Sequence, residues 1–282
     1  MTTDAPIGLI AGLGQLPVIS ATTMKATGRK VVVMGLRGYA EPALKDVADV
    51  FAWKSLTRLS GWIRYFRKHG VREVVMIGGV SKRKMYSPLR VLMHLPDLRT
   101  MRIWYQKVRK DKRDNAVLLA VADELSTNGI ELISSVEYCN EHLADDGLMT
   151  QTPIPADLEQ DIAFGWRIAR ESAKLDIGQS LAVKERDIIA VEAIEGTDAM
   201  IRRAGRLCRV GGWVMVKVAR PEQDMRFDVP TVGPDTIHRL KDAKCRCLVI
   251  EAGRTLIVDK PDTIALADKS GIAIIGKSDD SI

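Results

Sequence analysis

The chain has 282 residues, of which 46% are hydrophobic and 28% are charged, so it is long enough for one large or two ordinary folded domains. The apolar stretch at residues 7–19 has no basic flank before it and contains Gly12, Gly14 and Pro17, so we expect no signal peptide. Because the sequence contains no run of about 18 apolar residues, we expect no membrane-spanning helix.

The cysteines and histidines argue against a zinc site. The four histidines have no ligand spacing, and the four cysteines form no CxxC pair. Cys245 and Cys247 lie two residues apart in an apolar run, which predicts small buried side chains rather than metal or redox groups.

The net charge of +6 is concentrated in one segment. Residues 82–113 contain eleven Lys or Arg and two acids, a balance of +9, whereas the remainder has 31 basic and 34 acidic residues, a balance of −3. We therefore expect this segment to face an anionic partner.

The first half of the chain alternates predicted strands with predicted helices. Apolar or β-branched runs predict strands at residues 8–11, 30–35, 50–53, 71–77 and 130–134. Helices are predicted at residues 17–27, 58–69 and 115–126, and the basic segment is also predicted to be helical. This alternation predicts an α/β fold with an N-terminal doubly wound parallel sheet, a Rossmann-like sugar- and phosphate-binding domain over residues 1–137.

Residues 138–156 interrupt the alternation with an acidic pair, a glycine and two prolines, and they are predicted to be a linker. Residues 157–282 predict a smaller C-terminal catalytic domain of mixed α/β type. Its predicted elements are a helix at 157–175, a hairpin of strands 179–183 and 188–194, a helix from 197 to about 207, strands at 213–218, 247–251 and 255–258, and a helix from about 234.

Two glycine loops are candidate phosphate- or sugar-binding elements. Gly12 and Gly14 follow the first predicted strand, and Gly78 and Gly79 follow the fourth. Glycine lets a backbone approach a phosphate closely, and ligands of open α/β sheets bind at the carboxyl ends of strands. A plain tight turn is the alternative in each case. The first loop departs from a dinucleotide fingerprint because Pro17 occupies the third glycine position.

Thr197 and Asp198 open a predicted helix. The simple interpretation is that Thr197 caps the helix while Asp198 stabilises its dipole, but a helix N-terminus is also where a phosphate binds.

The polar loop that begins at Lys217 is the most informative segment. Gln223, Asp224, Arg226 and Asp228 crowd into six positions between prolines. Carboxylates of this kind hold Mg²⁺ or position water, and Lys or Arg stabilises phosphate charge. A loop held together by Asp–Arg ion pairs is the alternative.

Within the basic segment, apolar residues recur at helical spacing between basic ones. These are Leu98, Met101, Tyr105 and Val108, interleaved with Arg99, Arg102, Lys107 and Arg109. Such a helix fits an anionic membrane surface, and a core helix with a solvated basic rim is the alternative. Nucleic acid is a weaker candidate, because no nucleic-acid-binding fold accompanies the patch.

Four stretches resemble motifs of the LpxI family of UDP-2,3-diacylglucosamine pyrophosphatases. They are GLIAGLGQLP at residues 8–17, GGV at 78–80, VEAIEGTDAMIRRAG at 191–205 and VKVARPEQDMRFDVPTVGPDTI at 216–237. The resemblance covers essentially the whole chain, and its last two stretches are long and specific. Residues 176–180 depart from the more polar pattern expected there, which puts a role for Gln179 in doubt.

The resemblance implies hydrolysis of UDP-2,3-diacylglucosamine to UMP and 2,3-diacylglucosamine 1-phosphate (lipid X), a cytoplasmic step of lipid A biosynthesis. It further implies two domains with the substrate between them, Mg²⁺ or Mn²⁺ as cofactor, attack of water on the sugar-side phosphorus, a homodimer, and peripheral association with the inner face of the inner membrane. No nucleic-acid partner is expected.

The resemblance and the residue types together give a set of candidate site residues. Those expected to be catalytic are Lys217, Asp224 and Arg226. Those expected to bind substrate are Gly12, Leu13, Gly14, Gly78, Gly79, Val80, Thr197, Asp198 and Gln223. The expected metal ligands are Asp224 and Asp228.

Two other functions remain open at this point. An NADP-dependent oxidoreductase would place Gly12 and Gly14 on the pyrophosphate and Arg37 on the 2′-phosphate. A non-catalytic protein that binds lipids or nucleotide sugars is the third possibility.

Overall fold

A computed structural model describes residues 5–80, 95–109, 114–221, 224–226 and 229–278. Among these residues the chain forms two units. The first comprises residues 5–139 together with 224–226, and the second comprises 140–221 and 229–278. No helix in the described ranges is both long and apolar enough to cross a membrane.

The first unit is built on a five-stranded parallel sheet with the strand order β3-β2-β1-β4-β5. Its strands are β1 (Ile7–Ala11), β2 (Val31–Leu36), β3 (Val50–Lys54), β4 (Glu73–Ile77) and β5 (Glu131–Leu132). Every residue of β1 and β2 is buried, as expected for central parallel strands that are covered on both faces. This confirms the predicted α/β fold with a parallel N-terminal sheet.

Five described helices belong to the first unit: α1 (Leu16–Ala26), α2 (Leu44–Val47), α3 (Leu59–Lys68), α4 (Leu98–Ile103) and α5 (Asp114–Thr127). A π-helical turn, Trp104–Val108, continues α4. Asp97 caps α4 by accepting the Thr100 amide at 2.8 Å, and its second oxygen accepts the Ser60 amide in the first turn of α3, also at 2.8 Å. One carboxylate therefore fixes the starts of two helices.

The second unit contains a six-stranded mixed sheet with the order β6-β13-β11-β9-β7-β8 and a separate parallel pair, β10-β12. The strands are β6 (Gly147–Leu148), β7 (Ser180–Lys184), β8 (Asp187–Val191), β9 (Trp213–Lys217), β10 (Thr231–Val232), β11 (Cys245–Glu251), β12 (Leu256–Ile257) and β13 (Ala273–Lys277). β9, β11 and β13 are parallel, and β7 runs antiparallel to both β8 and β9. Consequently β8, β9 and β11 all end at the same edge of the sheet.

Helices cover both faces of the second sheet. They are α6 (Glu159–Lys174), α7 (Thr197–Leu207), α8 (Pro234–Asp242) and α9 (Lys260–Lys269). Alternate strand residues serve the two faces: Val214 and Val216 of β9 share a core with Trp166 of α6, while Met215 shares the opposite core with Met200 of α7.

The sequence pattern located most elements within a few residues but missed several in the second unit. The helix α9 and the strand β13 were not predicted. Residues 140–156, predicted as linker, lie within the second unit, where Gly147–Leu148 pair with β13. The segment that carries Asp224 was predicted in the C-terminal domain, whereas residues 224–226 belong to the first unit.

Candidate functional site

The two glycine loops lie side by side at the centre of the first sheet. β1 and β4 are neighbours in the strand order, and the connections from them lead to opposite sides, so the loops at their carboxyl ends flank the topological switch point. The Leu13 amide donates to the Gly79 carbonyl at 2.8 Å, and the Gly79 amide donates to the Leu13 carbonyl at 3.1 Å. The Gly12 amide donates to the Ile77 carbonyl at 2.8 Å. These three amides therefore bond within the protein, and the loops close on each other.

Glycine is required where the loops touch. A Cβ on Gly12 would lie 2.6 Å from the Gly78 carbonyl oxygen, and a Cβ on Gly78 would lie 2.7 Å from the Leu13 carbonyl oxygen. Gly78 also has a φ of +96°, in the region that favours glycine. Close approach by a ligand and a plain tight turn were the two interpretations of these glycines, and at Gly12 and Gly78 the nearest backbone is the protein's own.

Backbone amides at the start of α1 remain available to donate hydrogen bonds to a ligand. Gly14 has a φ of +99° and open space around it, and both Gly14 and Gln15 are exposed. Among the described residues no acceptor takes the amides of Gly14, Gln15 or Leu16. No side chain caps α1 either, so its N-terminus at the switch point is suited to an anion. Val80, on the neighbouring loop, is also exposed.

Asp224 and Arg226 form a two-pronged ion pair in the first unit. Arg226 Nη2 donates to Asp224 Oδ2 at 2.6 Å, Nε donates to Oδ1 at 2.9 Å, and the Arg226 amide donates to Oδ1 at 3.0 Å. The hydrogen bonds from Arg226 hold the pKa of Asp224 below its usual range despite partial burial. Asp224 is therefore ionised at neutral pH.

This turn is attached to the carboxyl edge of the first sheet. The Ser135 hydroxyl donates to the Met225 carbonyl at 3.0 Å, and Ser135 lies just after β5, the neighbour of β4. Asp224 and Arg226 thus lie at the edge to which the glycine loops belong. Gln223 and Asp228 lie outside the described residues.

The described residues do not by themselves provide a complete metal site. Mg²⁺ takes several oxygen ligands, and within the described ranges no three His, Cys, Asp or Glu residues are grouped to hold a metal ion. Asp224 supplies an ionised carboxylate of the right type, but both of its oxygens accept hydrogen bonds from Arg226. The predicted ligand pair therefore stays a prediction, with Asp228 as its second member.

In the second unit the structure brings Lys217 and Thr197 together. Lys217 ends β9 and is 6% exposed, and its Nζ donates to the Thr197 hydroxyl at 3.3 Å. Thr197, the first residue of α7, donates its hydroxyl hydrogen to Glu192 Oε1 at 2.9 Å. The Thr197 hydroxyl does not cap the helix; Gly196 occupies the N-cap position with a φ of +81°.

Asp198 belongs to a different environment from Lys217. Its side chain is 55% exposed and pairs with Arg239 of α8 at 3.2 Å. This arrangement matches the structural alternative for Asp198, a first-turn acid that favours the helix dipole and an exposed ion pair.

Two buried acids at strand ends of the second unit were not singled out from the sequence. Glu192 is 9% exposed and Glu251 is 4% exposed. Glu251 ends β11, where it accepts the Ala219 amide at 2.6 Å and an Arg170 hydrogen bond at 2.9 Å. Glu192 lies just after β8, two residues beyond the buried Ala190, and this period of two was the available signal. Glu251 ends a strand in which residues 247–251 are all buried, so no such alternation marked it. Gln179, left in doubt, has a buried amide oxygen without a partner in the described part of the chain.

The described part of the basic segment exposes apolar side chains rather than burying them. Leu98 is 86% exposed, Tyr105 67% and Met101 54%, and their spacing places them on one face. Ile103 and Val108 are buried in the core of the first unit instead. The predicted apolar face is therefore correct for its first three members and wrong for Val108. The remainder of the segment, residues 82–94 and 110–113, lies outside the described residues.

The cysteines Cys245 and Cys247 are buried, as predicted. Burial raises the pKa of Cys245 to about 12 and that of Cys247 further still, so neither is a reactive thiolate at neutral pH.

Comparison with known proteins covers nearly the whole chain. The LpxI N-terminal domain family matches residues 6–142, and the LpxI C-terminal domain family matches residues 145–275. The UDP-2,3-diacylglucosamine pyrophosphatase LpxI of Caulobacter vibrioides is 37% identical over 281 residues, which cover 96% of each chain. The chain belongs to the LpxI family.

Proposed function

We propose that this protein hydrolyses the pyrophosphate bond of UDP-2,3-diacylglucosamine, releasing 2,3-diacylglucosamine 1-phosphate and UMP in lipid A biosynthesis. The observation that carries the proposal is the 37% identity, over 96% of both chains, to a pyrophosphatase of that name. The NADP-dependent alternative has no support, because the comparisons give a hydrolase family and Pro17 replaces the third glycine of the dinucleotide fingerprint.

The chemistry follows from the groups at the two sheet edges. In the first unit, the amides at the start of α1 are suited to bind phosphate oxygens. In the second unit, the Lys217 ammonium group is suited to stabilise the charge that develops during phosphoryl transfer. Because its pKa is lowered, Asp224 is a weak proton acceptor, which favours a role in orienting the attacking water or a metal ion over general-base catalysis. Arg226 fixes the plane of that carboxylate. A bound Mg²⁺ or Mn²⁺, held by Asp224 and Asp228, would supply Lewis-acid polarisation of the phosphate.

The primary test is hydrolysis by the purified protein. Radiolabelled UDP-2,3-diacylglucosamine is incubated with protein and Mg²⁺, and the products are separated by thin-layer chromatography. Asp224→Ala should lower kcat by at least ~10²-fold, as expected for loss of a group that orients water or stabilises charge. Asp235→Ala, at a side chain that is 89% exposed, is the matched control and should leave kcat unchanged. Wild-type protein without hydrolysis would refute the proposal.

The metal requirement is tested separately. EDTA should abolish turnover, and Mg²⁺ or Mn²⁺ should restore it. Isothermal titration of Mn²⁺ into wild type and Asp228→Asn gives a readout independent of turnover. Full activity after exhaustive chelation would exclude the metal.

The phosphorus that water attacks is identified by isotope. In ¹⁸O-water, attack on the sugar-side phosphorus places the label in the diacylglucosamine 1-phosphate. Label in UMP would mean attack on the uridine-side phosphorus. It would contradict the proposal that Asp224 orients water towards the sugar-side phosphorus.

We also propose that the exposed face formed by Leu98, Met101 and Tyr105 binds an anionic membrane surface. Exposed apolar side chains beside basic ones favour the interface of a negatively charged bilayer. Replacing the three with Ser should weaken sedimentation with vesicles that contain phosphatidylglycerol, and replacing Arg102 and Arg109 with Gln should weaken it and reduce its salt dependence. Unchanged sedimentation of both variants would contradict this role.

The homodimer implied by the family resemblance is part of the proposal. Light scattering after size-exclusion chromatography should give twice the chain mass of 31.2 kDa. A single-chain mass at assay concentration would refute it.

A further inference from the structure

Three buried polar side chains lie next to one another on adjacent strands of the second sheet. Ser180 of β7 pairs in register with Lys217 of β9, and its carbonyl accepts the Glu192 amide at 2.8 Å just beyond β8. Their exposed fractions are 1% for Ser180, 6% for Lys217 and 9% for Glu192. Residues opposite one another on neighbouring strands present their side chains to the same face.

The hydrogen bonds within this group have a fixed direction. An ammonium group can only donate, so the Thr197 oxygen accepts from Lys217. The single hydroxyl hydrogen of Thr197 is then directed to Glu192 Oε1. The direction of these two hydrogen bonds, from Lys217 to Thr197 and from Thr197 to Glu192, therefore cannot reverse. The Thr197 hydroxyl thus offers the ammonium group an acceptor of fixed orientation.

Glu192 differs from the buried carboxylates that serve the fold of this unit. Asp161 uses one oxygen for the Glu185 amide and the other for the Arg186 amide, and both oxygens of Glu251 accept hydrogen bonds. Glu192 Oε2 is buried and has no partner among the described residues. A carboxylate whose purpose is stability would have both oxygens satisfied, because an unpartnered buried oxygen is costly.

We propose that Glu192 is a positioning residue that acts on Lys217 through the hydroxyl of Thr197. The inference rests on the proposed hydrolysis, in which the Lys217 ammonium group stabilises phosphate charge. The Thr197 hydroxyl fixes the position of the Lys217 ammonium group, and Glu192 fixes the orientation of that hydroxyl. A shift of about 1 Å in a catalytic group lowers a rate by about 10²-fold.

The test removes the groups that form these two hydrogen bonds, one at a time. Thr197→Val keeps the shape of the side chain and removes the hydroxyl, and Glu192→Met keeps the length of the side chain and removes the acceptor of the hydroxyl hydrogen. Both should lower kcat by about 10-fold to 10²-fold with little change in KM, whereas Thr197→Ser should restore kcat to within about threefold of wild type. Ser180→Ala is the matched control, because Ser180 is equally buried beside the same residues and its hydroxyl takes no part in the chain of hydrogen bonds.

The decisive readout is the dependence on Lys217. In a Lys217→Ala background, neither Thr197→Val nor Glu192→Met should lower kcat further, because the group that these side chains position is gone. If they reduce kcat by the same factor in that background, or if both keep wild-type kcat when Lys217 is present, the inference is overturned. Absence of hydrolysis by the wild type would instead refute the proposed function, so the two failures are distinguishable.

Discussion

Replacing Gly12 by alanine tests whether the two loops at the switch point close on each other. The new Cβ would lie 2.6 Å from the Gly78 carbonyl oxygen, 2.7 Å from its carbon and 2.8 Å from the Gly79 carbonyl oxygen. All three are backbone atoms that cannot rotate away. Since non-bonded carbon contacts prefer about 3.5–4.0 Å, the loops must separate by roughly 1 Å.

That separation has an estimable cost. Overpacking a tight contact costs about 1–3 kcal/mol, and the paired hydrogen bonds between Leu13 and Gly79 contribute about 0.5–1.5 kcal/mol each. We therefore expect the free energy of unfolding of the first unit to fall by about 2–4 kcal/mol, or its Tm by roughly 5–15 °C. Thermal and urea unfolding followed by circular dichroism measure this loss.

Gly79→Ala is the matched control within the same pair of loops. No atom lies within 4 Å of a Cβ built on Gly79, and its φ is not positive. Its stability should be unchanged or raised by about 0.4–1 kcal/mol, because alanine restricts the unfolded chain. If Gly12→Ala is as stable as Gly79→Ala, the loops do not close in the way described, and the Leu13 and Gly79 amides become available to a ligand.

Three further predictions concern buried or capping carboxylates. Asp161→Ala should lower the urea midpoint of the second unit, by about 1–3 kcal/mol in stability, because its oxygens hold the β7–β8 turn at which Glu185 and Arg186 adopt positive φ. Asp97→Ala should cost the first unit about 1 kcal/mol and speed hydrogen exchange at the starts of α3 and α4. Burial alone would raise the pKa values of Asp97 and Asp268, but hydrogen bonds from backbone amides lower both, so their stabilisation is full above about pH 4 and lost as pH falls through the lower folded-state values. A urea midpoint that is constant from pH 6 down to about pH 3 would contradict the last prediction.

The first sheet was predictable because its central strands are short and mostly apolar and because helices separate the strands. A parallel strand buried on both faces needs such a run, and β1 and β2 have one. In the second unit, β6 is two residues long and depends on pairing with β13, which no local pattern records. β13 itself was not predicted, although the strand at 247–251, beside which it lies in parallel, was predicted.

The candidate site was predictable as a set of segments but not as a set of contacts. The glycine loops and the polar stretch around Asp224 stood out by composition. Leu13 and Gly79 are far apart in the sequence, so their hydrogen bonds to each other could not be predicted from local pattern. Because of these bonds, the amides available to a ligand are those of Gly14 and the start of α1. Glu192 was hidden in an apolar run, although its distance from the buried Ala190 places both on one face.

The charged side chains that the proposal assigns to the first unit balance one another. In the first unit, Arg226 is bound by both oxygens of Asp224, so the formal charges of this pair cancel. A pyrophosphate that binds in the first unit brings negative charge that this pair does not neutralise. The amides at the start of α1 carry only partial positive charge, because a helix N-terminus is equivalent to about half an elementary charge. We therefore expect the proposed divalent metal to supply the remaining positive charge. Chelation should then weaken ligand binding as well as turnover. If the dissociation constant of the wild-type protein for the product 2,3-diacylglucosamine 1-phosphate is the same in EDTA as in Mg²⁺, this expectation is wrong and binding needs no metal.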